Sequence, residues 1–236
     1  MTRPRIFPLG DHAITVAFGN EIDEEINQSV FSVFRYLKKQ KFDFILDVIP
    51  AYASLSVVYD VMRIRNIGAK NSYDYMHDLL QNALQEAPHV MSELRNISVP
   101  VCYHESLGPD LTTLSQQRKV AIEEIIQIHS SSVYRVYMLG FLPGFTYMGK
   151  VHDKIAMPRK SVPSKSVPAG SVGIAGIQTG IYPVDSPGGW NIIGRTPLKI
   201  FEAHNEHPCF FEPGDQVKFE PITLDEFLQH ESNYVI

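Results

Sequence analysis

Cysteine is scarce in this sequence. Among 236 residues there are two, Cys102 and Cys209, far apart in the chain. Two cysteines are too few for a cysteine-based zinc site and give no disulfide framework, so we expect free thiols and no metal centre. Positive charge is also short, with 21 Lys and Arg against 26 Asp and Glu and a net charge of −5. Because no basic stripe can neutralise a run of phosphates, no nucleic-acid partner is expected.

Long apolar runs are missing as well. No stretch approaches the roughly 20 apolar residues that a membrane-spanning helix requires. The first residues, MTRPRIFPLGDHA, lack the apolar core and the cleavage site of a signal peptide. We therefore expect a cytoplasmic protein without a membrane partner. The hydrophobic content of 44% is ordinary for a globular protein with a buried core.

The first 95 residues have the pattern of a small α+β domain. Apolar residues at helical spacing predict one amphipathic helix that includes Ile22, Ile26, Val30, Phe34 and Leu37. Alternating apolar residues predict two strands before it and two after it. A second helix is predicted from Ser72, its expected N-cap, to about residue 84. The resulting order is ββαββα, and we place a domain boundary between residues 95 and 96.

The second part of the chain, residues 96–236, has a different pattern. After two short helices, brief apolar segments alternate with glycine and proline, which predicts many short strands. Strands are expected at Gly173–Ile177, Trp190–Ile193 and Leu198–Phe201, among others. Many short strands with turn residues between them favour a β-barrel or a sandwich. The predicted fold class is therefore α+β, with a mixed domain followed by a β-domain.

The stretch from Met138 to Pro197 has a composition that packing alone does not explain. It holds ten of the fifteen glycines and the only tryptophan. Glycine permits positive φ angles and close approach of another molecule, and proline fixes turns. We therefore predict a binding surface built largely from backbone and loops, with a few polar and aromatic anchors.

The sharpest local motif in this stretch is Asp185-Ser186-Pro187-Gly188-Gly189-Trp190. Consecutive residues in tight turns can direct several N–H groups into one anion-binding concavity. Trp190 and Arg195 would flank such a site with a flat apolar face and a bidentate donor. A plain hairpin turn with a core tryptophan is an equally good interpretation of the same residues.

No nucleotide site is predicted. Residues Gly144 to Val151 nearly match the phosphate-binding pattern G-x-x-x-x-G-K-[ST], but Val151 supplies no hydroxyl for magnesium. The interior of the motif is bulky and aromatic, and no strong helix follows it. Cofactor-binding residues are therefore left unassigned. His129 ends an apolar helix, where a partly buried and hydrogen-bonded histidine is the common outcome.

The sequence resembles the KipI / allophanate hydrolase subunit 1 family in three segments: GFLPGFTYMG, VPAGSVGIAGIQTGIYP and SPGGWNIIGRTP. The similarity covers nearly the whole chain and includes Gly108-Pro109-Asp110-Leu111 and Ile128-His129-Ser130. It implies a ferredoxin-like domain for residues 1–95 and a cyclophilin-like β-barrel for residues 96–236.

The resemblance also implies a place in an enzyme complex. Bacterial members of the family include the B subunit of 5-oxoprolinase. With a C subunit of the KipA or allophanate hydrolase subunit 2 type and with a further A subunit, that enzyme uses ATP to open 5-oxo-L-proline to L-glutamate. The implied role is a hydrolase component that is inactive alone, and no residue of this chain is assigned to ATP.

On that substrate each anchor has an expected role. Arg159 or Arg195 would bind a carboxylate or phosphate, and Gln178 would hydrogen-bond the amide. We group these three residues as catalytic. The residues expected to bind substrate, with Trp190 packing on the ring and Tyr147 closing one edge, are Tyr147, Ser186, Gly188, Gly189 and Trp190.

Other functions are compatible with the same motifs. The KipI branch of the family inhibits a sporulation histidine kinase, which would make the chain a regulatory protein with a kinase partner. Membership of an allophanate hydrolase or urea carboxylase type of amide-processing complex is a further alternative. A cyclophilin-like barrel also raises prolyl isomerisation, although a shared fold does not imply a shared function.

Overall fold

The N-terminal part of the chain is a sheet covered by helices. The computed structural model describes residues 3–87 and 95–233. It separates into two compact units, residues 1–93 and 94–236. The elements of the first unit are β1 (Arg5–Pro8), β2 (Ala13–Ala17), α1 (Glu24–Gln40), β3 (Ile45–Pro50), β4 (Ser54–Tyr59), α2 (Val61–Asn66) and α3 (Ser72–Glu86). The predicted order ββαββα is found, with α2 as an additional short helix.

The four strands form one antiparallel sheet in the order β1-β2-β4-β3. Alternation along β4 buries Leu55, Val57 and Tyr59 in one core with the apolar faces of α1 and α3. The helix α3 begins differently from the prediction. Ser72 is not its N-cap, because the side chain of Asn71 accepts the hydrogen bond from the Tyr73 N–H at 2.9 Å. The ferredoxin-like assignment and the boundary at residue 95 stay predictions.

The second unit is built around a closed barrel. Its elements are β5 (Asn96–Cys102), α4 (Leu111–Arg118), α5 (Ile122–Ser131), β6 (Val133–Leu139), β7 (Thr146–Gly149), β8 (Ser164–Val167), β9 (Ser171–Ala175), β10 (Gln178–Ile181), β11 (Ser186–Gly188), β12 (Asn191–Arg195), β13 (Gln216–Ile222) and α6 (Leu224–Asn233). Seven strands close in the order β10-β7-β6-β13-β5-β12-β9, and β8 pairs with β11 in a separate small sheet.

Two predicted strands differ from the structure. The strand expected at Gly173–Ile177 ends at Ala175, because Gly176 turns the chain with a φ of 61° into β10. The segment Leu198–Phe201 does not form a strand, and its only ladder contact is an isolated bridge from Phe201 to Cys209. The prediction of a barrel or sandwich is confirmed in its barrel form. None of the helices described is long and apolar enough to cross a membrane.

His129 lies in the core of the barrel unit, at the end of α5. It is completely buried, and its ring stacks on Phe219 with the centroids 4.5 Å apart. Nδ1 lies 2.8 Å from the Tyr103 hydroxyl, and Nε2 lies 2.9 Å from Thr179 Oγ1. Burial lowers the pKa of His129 from 6.5 to about 3, so the ring is neutral at physiological pH. A histidine with both nitrogens bonded in a dry core has a structural role.

Candidate functional site

Two paired glycines, Gly173 and Gly180, leave space on the outer face of the barrel because they have no side chains. Gly180 of β10 pairs directly with Gly173 of β9. The adjacent Ile181 points into the barrel core, so these glycines point outward. A Cβ atom at Gly180 would lie 2.6 Å from the carbonyl oxygen of Thr146 and 3.1 Å from the ring of Trp190. The missing side chains therefore provide the space in which Trp190 lies.

Four aromatic side chains pack together on this floor, and we call them the aromatic cluster: Phe145, Tyr147, Tyr182 and Trp190. The Phe145 ring stands edge-on to Trp190 and to Tyr182, with centroid distances of 5.3 Å and 4.9 Å. The ring of Tyr147 lies 5.8 Å from that of Trp190. Trp190 is only 3% exposed, whereas Tyr147 is half-buried. The cluster is thus a second small core whose outer edge reaches solvent.

Arg159 covers this cluster on the solvent side. Its guanidinium carbon lies 5.9 Å from the centroid of the Trp190 ring, in the range of a cation–π contact. Burial raises the pKa of Tyr147 and of Tyr182, while the charge of Arg159 lowers both and its hydrogen bond to Tyr147 lowers that one further. Both phenols are therefore neutral at pH 7. Arg159 itself remains exposed.

The backbone on either side of Arg159 is tied to the barrel. Met157 exchanges two hydrogen bonds with Gly176, at 3.1 Å and 2.6 Å. The Asn191 side chain donates to the carbonyl oxygen of Pro158 at 2.8 Å. These hydrogen bonds fix the backbone that precedes Arg159.

The backbone that follows Arg159 is held by an ion pair of Lys160. Lys160 Nζ lies 2.6 Å from Asp110 Oδ2, and the same oxygen accepts a hydrogen bond from the Ile192 N–H at 2.7 Å. The Lys160 N–H donates to the carbonyl oxygen of Gly189 at 2.8 Å. Arg159 is therefore presented on a backbone that is fixed on both sides.

The small sheet of β8 and β11 lies against Tyr182. A Cβ atom at Gly188 would be 2.3 Å from the Tyr182 hydroxyl, so only glycine fits there. Ser186 points to the same side of β11, because it lies two residues before Gly188. Ser186 is 9% exposed, and its buried Oγ has no hydrogen-bond partner.

A buried hydroxyl without a hydrogen-bond partner lowers the stability of the folded state, so its removal should increase the free energy of unfolding. We expect Ser186→Ala to raise the free energy of unfolding of the barrel unit by about 1 kcal/mol, because the variant removes the unsatisfied group. Ser115→Ala is the matched control, since the Ser115 hydroxyl donates to the Val120 carbonyl at 2.7 Å and its loss should lower stability. Urea unfolding followed by the emission of the only tryptophan measures both. Destabilisation by Ser186→Ala would contradict the expected sign.

The structure brings together most, but not all, of the predicted site residues. Tyr147, Arg159 and Trp190 are in contact, and Ser186, Gly188 and Gly189 lie on the segment beside them. Gln178 shares the outer face of β10 with Gly180, two residues away.

Arg195 lies elsewhere. Its Nε donates to the carbonyl oxygen of Ala169 at 2.7 Å, and its guanidinium carbon lies 5.8 Å from the ring centroid of Phe227 on α6. It therefore contacts a loop and the last helix at the far end of β12 from Trp190.

One expected contact role does not fit the geometry. Trp190 is too deeply buried to pack on a substrate ring, and it supports Arg159 instead. Sequence reasoning also passed over several residues that build the site. Among these are Phe145 and Tyr182 in the cluster and Asp110 and Asn191 beneath the Arg159 segment, although all four stand in the motifs quoted above.

The near match to a phosphate-binding loop does not form one. Residues 146–149 are strand β7, which pairs with β10 on one side and with β6 on the other. Its backbone N–H groups therefore belong to the sheet ladders, and ATP does not fit this segment. Within residues 3–87 and 95–233, no three His, Cys, Asp or Glu side chains are grouped so that they could hold a metal ion.

Comparison with known proteins gives a consistent assignment. Residues 4–211 match the family described as carboxyltransferase domain, subdomain C and D. The 5-oxoprolinase B subunit of Bacillus subtilis (strain 168) is 40% identical over 237 residues, which cover 98% of this chain and 99% of that protein.

Solved structures show similar folds. A crystal structure of TTHA0988 has a TM-score of 0.78 and 33% identity over 89% of this chain, but the match covers only 40% of that longer chain. A conserved uncharacterized protein from Pyrococcus horikoshii is 43% identical over 94% of this chain and all of its own, with a TM-score of 0.55. The resemblance inferred from the sequence motifs is confirmed. This chain belongs to the family of carboxyltransferase domains, subdomains C and D.

Proposed function

We propose that this chain is the B subunit of an ATP-dependent 5-oxoprolinase, which opens 5-oxo-L-proline to L-glutamate in the cytoplasm. The observation that carries the proposal is the 40% identity to a 5-oxoprolinase B subunit along essentially the whole of both chains. A KipA-type C subunit, together with the A subunit, would complete the enzyme. Similarity to part of a longer chain in TTHA0988 agrees with a unit that works beside further polypeptide.

The chemistry accounts for the ATP and for the several subunits. A five-membered lactam is a poor electrophile with an amide leaving group. Transfer of the terminal phosphoryl group of ATP to the lactam oxygen would activate the ring carbon. Water that adds there would break the ring C–N bond, with the nitrogen taking up a proton, and would leave an acyl phosphate. A second water would then hydrolyse the acyl phosphate to the side-chain carboxylate and phosphate. An activated intermediate of this kind must be shielded from bulk water until the ring opens. We assign ATP binding to no residue of this chain.

The outer face of the barrel is the proposed contribution of this chain. The aromatic cluster and Arg159 combine a rigid apolar base with one exposed cation, which suits a small anionic ligand. In this proposal Gln178 contacts the amide of the substrate. Residues 1–95 form a ferredoxin-like domain and residues 96–236 form a cyclophilin-like domain.

Reconstitution tests the proposal. The purified chain is mixed with the A and C subunits, 5-oxo-L-proline and ATP, and glutamate is measured. We expect glutamate only when all three proteins are present, and none from this chain alone. Glutamate formation that is unchanged when this chain is omitted would refute the proposed function.

A further inference from the structure

We infer that Arg159 is the group that binds the substrate carboxylate, and that Asp110 positions it through Lys160. This inference rests on the proposed function and deepens it, because it names the chemical class that this chain recognises. The ligand is a small cyclic amide that carries one carboxylate, as 5-oxo-L-proline does.

Arg159 is a cation available to a ligand. Its contacts are with the face of Trp190 and the hydroxyl of Tyr147, and no carboxylate among the described residues forms an ion pair with it. The guanidinium lies over the Trp190 ring and is exposed, and its planar set of N–H donors can form two parallel hydrogen bonds to a carboxylate.

The charges around Arg159 favour a ligand with a single negative charge. The neighbouring cation, Lys160, is neutralised by Asp110 at 2.6 Å. The nearby phenols of Tyr147 and Tyr182 are neutral, because burial raises the pKa of each. Among the described residues, Arg159 is therefore the cation found in contact with the aromatic cluster, with the Tyr147 hydroxyl beside it. One charge matches a monocarboxylate, whereas a phosphate chain would require further cations.

A partly buried ion pair holds the backbone that carries Arg159 in place. The Lys160 and Asp110 side chains are only 23% and 19% exposed. Asp110 also holds the Ile192 N–H on the strand that follows Trp190, so it connects the base of the cluster to the Arg159 segment. Such a connection sets where the guanidinium lies without touching the ligand itself. Asp110 is therefore a positioning residue.

The test compares variants in the reconstituted complex. We expect Arg159→Gln to raise KM for 5-oxo-L-proline at least tenfold while KM for ATP stays unchanged. The carboxamide of 5-oxo-L-proline, which lacks the charge, should be used equally poorly by the original enzyme and the variant. Arg65→Gln, on α2, makes the same change in charge as a control and should leave both KM values unaltered.

Asp110→Asn separates positioning from stability. It should raise KM for 5-oxo-L-proline roughly threefold and add nothing in the Arg159→Gln background, because its effect acts through Arg159. A purely structural role would lower stability and reduce activity equally in both backgrounds. That result would overturn the role of Asp110. An unchanged KM for 5-oxo-L-proline in Arg159→Gln would overturn the carboxylate site while the proposed function stands.

Failure of the proposed function gives a different result. If the complex forms no glutamate, titration of the chain alone with 5-oxo-L-proline decides the site, because Trp190 beneath Arg159 is the only tryptophan. A saturable change in emission that the carboxamide and Arg159→Gln do not show would support the carboxylate site. No change in emission would overturn it.

Discussion

Lowering the pH from 7.5 to 4.5 is expected to reduce the free energy of unfolding of the barrel unit by about 3 kcal/mol through His129. Burial lowers the pKa of His129 in the folded state to about 3, while the unfolded chain has the ordinary value of 6.5. Between these values the unfolded state binds more protons, so stability rises with pH. The contribution is complete above about pH 6.5 and is lost progressively as the pH falls toward 3.

The two hydrogen bonds of His129 explain why the neutral ring is kept. The Tyr103 hydroxyl and Thr179 Oγ1 each occupy one ring nitrogen. A protonated ring would donate at both positions inside a core that offers no opposing charge within hydrogen-bonding contact. The folded structure therefore accommodates the neutral form of His129 only. Protonation of the ring at low pH favours the unfolded state and makes the protein less stable in acid.

Denaturant unfolding of the chain and of His129→Gln at several pH values measures this effect. The Trp190 emission restricts the signal to the barrel unit. The variant retains the other eight histidines and all carboxylates, so the difference in pH slope belongs to His129. Equal slopes for both proteins, or a His129 ring that titrates near pH 6.5 by NMR, would contradict the expectation.

The elements that the sequence predicted well have strong local periodicity. The helix α1 follows from its apolar spacing, although it begins at Glu24 and leaves out Ile22, which the predicted helix included. The acidic residues of its first turn agree with its dipole, and Asp23 caps it by accepting hydrogen bonds from two N–H groups of that turn. The helix α2 was missed. It has six residues and one buried side chain, Ile64, so it leaves no periodic pattern to detect.

The candidate site was predicted by composition but not by geometry. Trp190 and Arg195 are close in sequence, yet a strand rises about 3.3 Å per residue and separates them by roughly 16 Å. Strand pairing instead places Trp190 on Gly173 and Gly180, which come from two other strands. Asp110 is 50 residues from its partner Lys160. Contacts of this kind depend on barrel closure, which no local pattern encodes.

Gly180→Ala is expected to destabilise the barrel unit by about 2 to 3 kcal/mol. The added methyl group would lie 2.6 Å from the backbone carbonyl oxygen of Thr146 and 3.1 Å from the Trp190 ring. The carbonyl belongs to a paired strand and cannot move without separating β7 from β10. The Trp190 ring also contacts Phe145, Tyr147 and Arg159, so a displaced ring would change its surroundings and the Trp190 emission of the folded variant should also shift.

Gly189→Ala is the matched control, because the same methyl group there would meet its nearest atom at 3.8 Å. Its backbone also needs no positive φ, so the free energy of unfolding should change by less than about 1 kcal/mol. Urea unfolding of both variants, followed by Trp190 emission, compares the two sites directly. Similar losses at both would mean that the cost arises from glycine replacement in general. A loss confined to Gly180→Ala would show that the missing side chain in β10 provides the space that Trp190 occupies and, through Trp190, supports Arg159.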